Sequence, residues 1–280
     1  MKKIMTSSWS LHRTLGKVMY DWSDTKADPV LANGNLGGLA LLEAPAELAR
    51  RDIGMLEICH FHLPRLDNEY LDELRAALDE RNVDLYSVLI DAGDITHADP
   101  TVRAKEVAWV RSFLGVASRL GARCARVIAG DAQPGTGEDL RDDEAVRTSA
   151  QNLRALAAAG RDLGVQVITE NFRNLGCHAA GLSAILDLCE GEVGLCADFG
   201  NFKGPVKYDE LSAILPHATS VHAKADFLAE GQMDRDDFAR CLERARAADF
   251  TGPYSLIFSS AGDEWQGLNW TREVVEEYLV

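Results

Sequence analysis

Nothing in this chain approaches the roughly 18 consecutive apolar residues of a membrane span, and no run of lysine or arginine interrupts its acidic balance. With 44 acidic and 29 basic residues the formal charge is −15. This argues against nucleic acid and anionic membrane as partners, because both require a basic footprint. The six cysteines include no CxxC pair, and several sit in apolar runs where a free thiol behaves as a small hydrophobe, so a structural role is expected for them. The opening MKKIMTSSWSLHR carries two lysines but no hydrophobic stretch, since Thr6, Ser7, Ser8 and Ser10 break it. It does not read as a signal peptide, and a cytoplasmic location is expected. A glycine-rich phosphate loop after the first strand is also missing, which counts against a doubly wound nucleotide-binding sheet.

What is present is a regular beat. Hydrophobic residues make up 46% of the chain, enough for a large core. They fall into eight short β-like runs: KIMTSSWSL, IGMLEICHFHLP, VDLYSVLID, ARCARVIAG, VQVITENF, VGLCADFG, SVHAKADF and YSLIFSS. Between and after these, amphipathic or alanine-rich stretches predict helices over about 45–51, 67–81, 99–120, 138–163, 182–189, 209–215, 235–248 and 265–279. Gly121 and Gly164 stand where the third and fourth helices should stop. Strand–helix alternation demands parallel pairing with right-handed crossovers, and eight units close a barrel. The expected fold is a single (β/α)8 TIM barrel domain spanning residues 1–280, with a doubly wound open sheet as the runner-up. Asp28-Pro29, Gly34, Gly37 and Gly38 break up the segment from Arg13 to Ala40. That segment reads as a long functional loop whose Met19, Tyr20 and Trp22 either cover a pocket or pin the loop to the body.

In such a barrel the chemistry sits at the C-terminal strand ends. Strand five supplies Glu170, Asn171 and Arg173, strand six Asp198 and Asn201, and strand seven His222 and Lys224. Strand one ends near Ser10 and His12. Alternation along strand two groups Ile58 with His60 and His62, opposite Glu57, Cys59 and Phe61. Any one of these has a bland reading, as a salt-bridged surface glutamate or a hydrogen-bonded core histidine. Two carboxylates and an imidazole at one mouth, however, repel one another or shift their pKa values unless a cation sits between them. A divalent metal ion (Mn, Mg, Co or Zn) on Glu170, Asp198 and His222 is expected. Lys224 points the same way as His222 and suits an anionic oxygen of the reaction. Asn171, Arg173, Asn201, His12 and Trp22 are the candidate substrate contacts, and His62 is a candidate substrate or metal contact.

SSWSLHR, LEICHFH, ITENF, CADFGN, VHAKA and the closing GPYSLIF and GLNWTREVVEEYL, in that order, resemble the sugar phosphate isomerase/epimerase family with the xylose isomerase-like barrel. The resemblance covers nearly the whole chain. It implies one divalent metal held by a Glu on strand five, an Asp on strand six, a His on strand seven and a Glu on strand eight. It also implies proton transfer next to a carbonyl on a sugar, polyol or related hydroxy acid. The first three ligands fall on Glu170, Asp198 and His222, and the family's lysine two residues past the histidine falls on Lys224. Two positions depart from the pattern: Asn201 stands where many members have histidine, and the strand-eight glutamate position, near Ile257, has no carboxylate. The ion with Glu170, Asp198 and a neutral His222 then sums to zero charge, so weak metal binding is expected. The two-carboxylate proton exchange also lacks one partner; Asp263, Glu264, His62 and Lys224 are the candidates to replace it.

The leading reading is a metal-dependent isomerase, epimerase or related lyase acting on a small hydroxy-carbonyl substrate. Glu170 serves as ligand and base, Lys224 as electrophile, and His62 as a further acid/base candidate. The alternative is a catalytically degenerate barrel acting as a binding or partner subunit. A phosphodiester-cleaving relative is opposed by Asn201 and by the acidic charge. The sequence is compatible with a homo-oligomer and does not decide the oligomeric state.

Overall fold

The structure is a computed structural model and describes residues 3–16, 18–22, 28–31, 38–135 and 139–279. Eight parallel strands form the barrel: β1 (Ile4–Ser7), β2 (Met55–Cys59), β3 (Asp84–Ile90), β4 (Cys124–Val127), β5 (Gln166–Glu170), β6 (Gly194–Asp198), β7 (Ala218–Lys224) and β8 (Tyr254–Ile257). They neighbour one another in chain order, and β8 pairs with both β7 and β1 to close the ring. A helix follows each strand: α1 (Ala44–Ala49), α2 (Asn68–Glu80), α3 (Pro100–Leu120), α4 (Glu144–Asp162), α5 (Ala179–Leu188), α6 (Lys207–Ile214), α7 (Arg235–Ala247) and α8 (Glu264–Glu276). This is the (β/α)8 TIM barrel that the strand–helix beat predicts.

The strands read as apolar runs because both of their faces are covered. Outward side chains pack under the helices, whose buried residues recur at three- and four-residue spacing, as Val110, Phe113, Leu114 and Ala117 do on α3. Inward side chains make a separate cluster of Met5, Met55, Tyr86, Cys124, Ile168 and Cys196, the floor of the barrel mouth. Two residues further along the strand, Met55 gives way to Glu57, Cys124 to Arg126, Ile168 to Glu170 and Cys196 to Asp198. The two-residue period thus turns an apolar layer into a charged one within about 6.6 Å of rise.

Aspartates start the helices. Asp67 accepts the Tyr70 N–H, Asp99 those of Thr101 and Val102, and Asp143 those of Ala145 and Val146. Gly121, at φ 76°, closes α3 in the left-handed conformation expected of it. α4 begins at Glu144 because Asp143 caps it and Leu140–Asp142 forms a separate 3₁₀ turn; the expected start, Glu138, lies outside the described residues. β1 stops at Ser7 and β2 at Cys59, each running into a 3₁₀ turn, Ser8–Leu11 and His60–His62. The alternation that grouped Ile58 with His60 and His62 therefore ends at Cys59. The segment read as one long loop contains an antiparallel pair, Val18–Asp21 with Asp28–Leu31, while Gly34 and Gly37 lie outside the described residues. A second hairpin, Phe227–Ala229 with Gln232–Met233, follows β7. All six cysteines are free and all but Cys177 are buried. No helix among the described residues is long and apolar enough to cross a membrane.

α8 approaches the barrel at Gly267. A Cβ there would lie 2.3 Å from Cδ2 of the buried Phe258 and 2.4 Å from two more ring carbons. Alanine gains about 1 kcal/mol of helix propensity over glycine, but overpacking a full core costs about 1–3 kcal/mol, and three contacts this short favour the cost. Gly267→Ala should lower the urea unfolding midpoint by roughly 1–2 kcal/mol equivalent; a raised midpoint would mean the Phe258 ring moves aside freely.

Candidate active site

The charged layer opens into a cavity of about 270 Å³ at the C-terminal ends of the strands. Glu170, at the tip of β5, is 4% exposed. Its Oε1 accepts a hydrogen bond from Asn201 Nδ2 at 2.9 Å, and its Oε2 lies 3.0 Å from Nε of Arg126 on β4. Arg126 in turn donates through Nη2 to Asp91 Oδ1 at 2.7 Å, just past β3. Burial raises the Glu170 carboxyl above the ordinary carboxylate range, and the Arg126 and His222 charges oppose that shift without cancelling it.

Asp198 ends β6, where Asn171 holds its backbone. Asn171 Oδ1 accepts the Asp198 N–H at 2.6 Å and Nδ2 donates to the Asp198 carbonyl at 2.9 Å. The Asp198 side chain accepts the Gly200 N–H on Oδ1 at 2.6 Å, leaving Oδ2 3.4 Å from His222 Nδ1. Burial pushes this carboxyl up as well, but the contact with His222 and the charge of Lys224 bring it below its usual value.

His222, on β7, turns Nε2 toward Glu57 Oε2 at 3.0 Å and Nδ1 toward Glu170 Oε1 at 3.7 Å. Burial disfavours the imidazolium, yet Cys196, Glu57, Glu170 and Asp198 outweigh it and hold the His222 pKa well above 6.5. Glu57 is fully buried in the middle of β2 and its Oε1 has no hydrogen-bond partner, so His222 is its principal counter-group.

The chemistry of this donor set suits a divalent ion. With the Nε2–H given to Glu57, His222 presents the Nδ1 lone pair toward Asp198 Oδ2 and Glu170 Oε1. The separations of 3.7 and 3.4 Å from His222 Nδ1 are close to the roughly 3.4 Å spanned by donors at bond lengths of about 2.1 Å in a tetrahedral shell, while Glu170 and Asp198 do not share a group of donors within 4.8 Å and would have to close on an ion. Three protein donors with a fourth position open is the arrangement of catalytic sites. Among the described residues, the group whose ligand atoms all lie within 4.8 Å of one another is Glu170, Cys196 and His222. Burial pushes the Cys196 thiol up to about 11, which makes Asp198 the better donor to a hard ion. On the β8 side the cavity wall is Ile257, the Cα partner of Lys224.

Among the candidates named from sequence, Glu170, Asp198, Asn201, His222 and Lys224 line the cavity. Asn171 stands behind it as a clamp. Arg173, held at φ 59°, bridges Asp131 at 3.0 Å and the Asp91 carbonyl at 2.7 Å and does not line the cavity. His12 stacks on Trp9 and donates to the Trp9 carbonyl; Trp9, not His12, reaches the cavity. Trp22 pins the first loop to the body, donating to the Leu63 carbonyl at 3.1 Å and accepting from Trp109 Nε1 at 2.5 Å. His62 is carried away by its 3₁₀ turn, with Nδ1 2.8 Å from Ser8 Oγ, and borders a separate pocket beside Tyr20 and Tyr70. Asp263 caps α8, and Glu264 accepts the backbone N–H groups of Arg13 and Thr14, so neither stands in for the strand-eight carboxylate. Sequence reasoning gave no role to Glu57, Asp91 and Arg126. The signal for Glu57 and Arg126 was a charge in mid-strand within a run covered on both faces, where an ionised group is almost never buried without a partner.

The family profile described as xylose isomerase-like TIM barrel matches residues 45–275, and the chain belongs to that family. Solved structures of similar fold include L-ribulose 3-epimerase, 18% identical with a TM-score of 0.71, covering 100% of this chain and 95% of that one. D-allulose 3-epimerase from Methylomonas sp. is 19% identical with a TM-score of 0.68, covering 99% of this chain and 98% of its own. A xylose isomerase-like TIM barrel protein from Mycobacterium smegmatis in complex with magnesium is 17% identical with a TM-score of 0.64, covering 100% and 98%. At such identities the likeness is one of fold. No curated protein matches the chain.

The two histidines that turn away from the cavity leave a pH signature. Burial pushes His62 down to about 3 and His60 to about 4, against 6.5 for the free side chain. The unfolded chain then takes up protons that the folded one refuses. Stability present above pH 6.5 is lost as pH falls toward 4, at roughly 1.4 kcal/mol per pH unit for each histidine. Urea midpoints should drop across that window, and less steeply in His62→Gln; midpoints that do not change with pH there would contradict the burial of both rings as neutral groups.

Proposed function

We propose that this protein is a metal-dependent isomerase or epimerase that moves a proton next to the carbonyl of a small hydroxy-carbonyl compound. The observation that supports this reading is the approach of Glu170 Oε1 and Asp198 Oδ2 to His222 Nδ1 at one wall of the cavity. When bound, the ion would polarise the substrate carbonyl and acidify the neighbouring C–H. Glu170, its carboxyl raised by burial, is suited to take that proton, while Asn201 keeps its carboxylate in place. Lys224 makes no hydrogen bond or ion pair with the described residues. Its ammonium is suited to stabilise the oxyanion that develops as the proton leaves, and to return a proton from the side where Ile257 replaces a carboxylate. Trp9, Phe61 and Phe172 line the cavity and offer aromatic faces to the C–H surface of a sugar. Two structures of similar fold are sugar epimerases by name, in agreement with a substrate of this class. Ile257 favours a second reading, a binding subunit without catalysis.

Solvent exchange separates the two. Protein loaded with Mn²⁺ in D₂O should exchange the hydrogen beside the carbonyl in at least one of a panel of ketoses and hydroxy-keto acids, followed by NMR. Glu170→Gln should slow that exchange by about 10²- to 10⁴-fold. Loaded protein that exchanges none of the panel would favour the binding subunit, and undiminished exchange in Glu170→Gln would remove Glu170 as the base.

A further inference from the structure

Arg126 enters a layer that otherwise holds carboxylates and imidazole. Its side chain is 4% exposed. Nη2 donates to Asp91 Oδ1 at 2.7 Å, Nη1 to the Ile90 carbonyl at 3.4 Å, and Nε stands 3.0 Å from Glu170 Oε2. This last contact is not a hydrogen bond, because both Nε and Oε2 are buried without a hydrogen-bond partner. The carboxylate takes its orientation from Asn201, at 2.9 Å on the other oxygen. Arg126 therefore gives Glu170 charge and not direction.

We propose that Arg126 is a resident counter-cation that sets the metal affinity of the site, holding the carboxylates together without an ion and weakening the binding of a divalent ion. Arg126 has this role only if the metal reading above holds. A guanidinium stays charged at any accessible pH. Placed 3.0 Å from a ligand oxygen, with both side chains at most 5% exposed and so little screened by solvent, it drains donor strength from that carboxylate and repels an incoming dication. Asp91, 20% exposed, takes up part of the same charge, so the field that Glu170 feels depends on both partners. Removing the guanidinium should tighten ion binding, and neutralising Asp91 should loosen it. Were Arg126 there to orient Glu170, its removal would loosen binding instead.

The test is calorimetric titration of Mn²⁺ into chelator-stripped wild type, Arg126→Met and Asp91→Asn, each checked for native far-UV circular dichroism. Arg126→Met should bind about tenfold tighter or more, and Asp91→Asn several-fold weaker, within the range that partners of metal ligands command. Folded Arg126→Met that binds no tighter, or Asp91→Asn that binds tighter, would overturn the proposal. Should Arg126→Met fail to fold, the direction of the Asp91→Asn shift decides alone. If neither wild type nor Arg126→Met takes up Mn²⁺ at millimolar concentration, the metal reading itself falls and takes this role with it. If wild type binds and the variants match it, only the role of Arg126 falls.

Discussion

Crowding of carboxylates is the constraint to which the mouth of this barrel answers. Glu57, Asp91, Glu170 and Asp198 are gathered by strands that cannot move apart, and like charges on largely buried side chains must take up protons or find cations. The chain supplies three. Arg126 stands between Asp91 and Glu170, His222 between Glu57 and Asp198, and Lys224 acts on Asp198. Without a metal and with His222 protonated, four negative charges meet three positive ones. Under the metal reading proposed above, a dication in place of the Nδ1 proton would let the ion, Arg126 and Lys224 together balance the four carboxylates. Proton and metal would then compete for one nitrogen of a ring that the fully buried Glu57 orients from behind.

The precision of the site comes from regular structure. A two-residue step along each strand lifts the side chains from an apolar floor of Met55, Cys124, Ile168 and Cys196 to Glu57, Arg126, Glu170 and Asp198. Asn171, by serving both backbone groups of Asp198, locks the tip of β6 to the tip of β5. Ile257 then matters for what it leaves open. With an apolar side chain on the β8 side, the fourth position around a bound ion would fall to water or substrate, and Lys224, the register partner of Ile257, is the charged group beside it.

Much of this was legible in the residues. The strand–helix beat predicts the barrel because both periods are sharp, and Glu170, Asp198 and His222 stand out because each closes an apolar run at the end where barrels carry their sites. Helix ends followed their aspartates and Gly121 to within a few residues, except at α4, where Asp143 outcompeted an earlier start. The two hairpins escaped because strands of two to four residues leave little periodic signal. His62 was misplaced for a related reason, since period two was carried across a 3₁₀ turn that starts at His60. Glu57 and Arg126 were hidden in mid-strand: alternation says that Glu57 and Cys59 share a face, but not whether that face looks into the barrel or toward the helices.

The proposed three-donor ion site is tested most directly by anomalous diffraction from crystals grown with Mn²⁺. One peak is predicted at the barrel mouth, bonded to Glu170, Asp198 and Nδ1 of His222, with its remaining positions filled by water or substrate on the side of Ile257. A map without a peak there, or one whose ion is bound through Cys196 in place of Asp198, would contradict it.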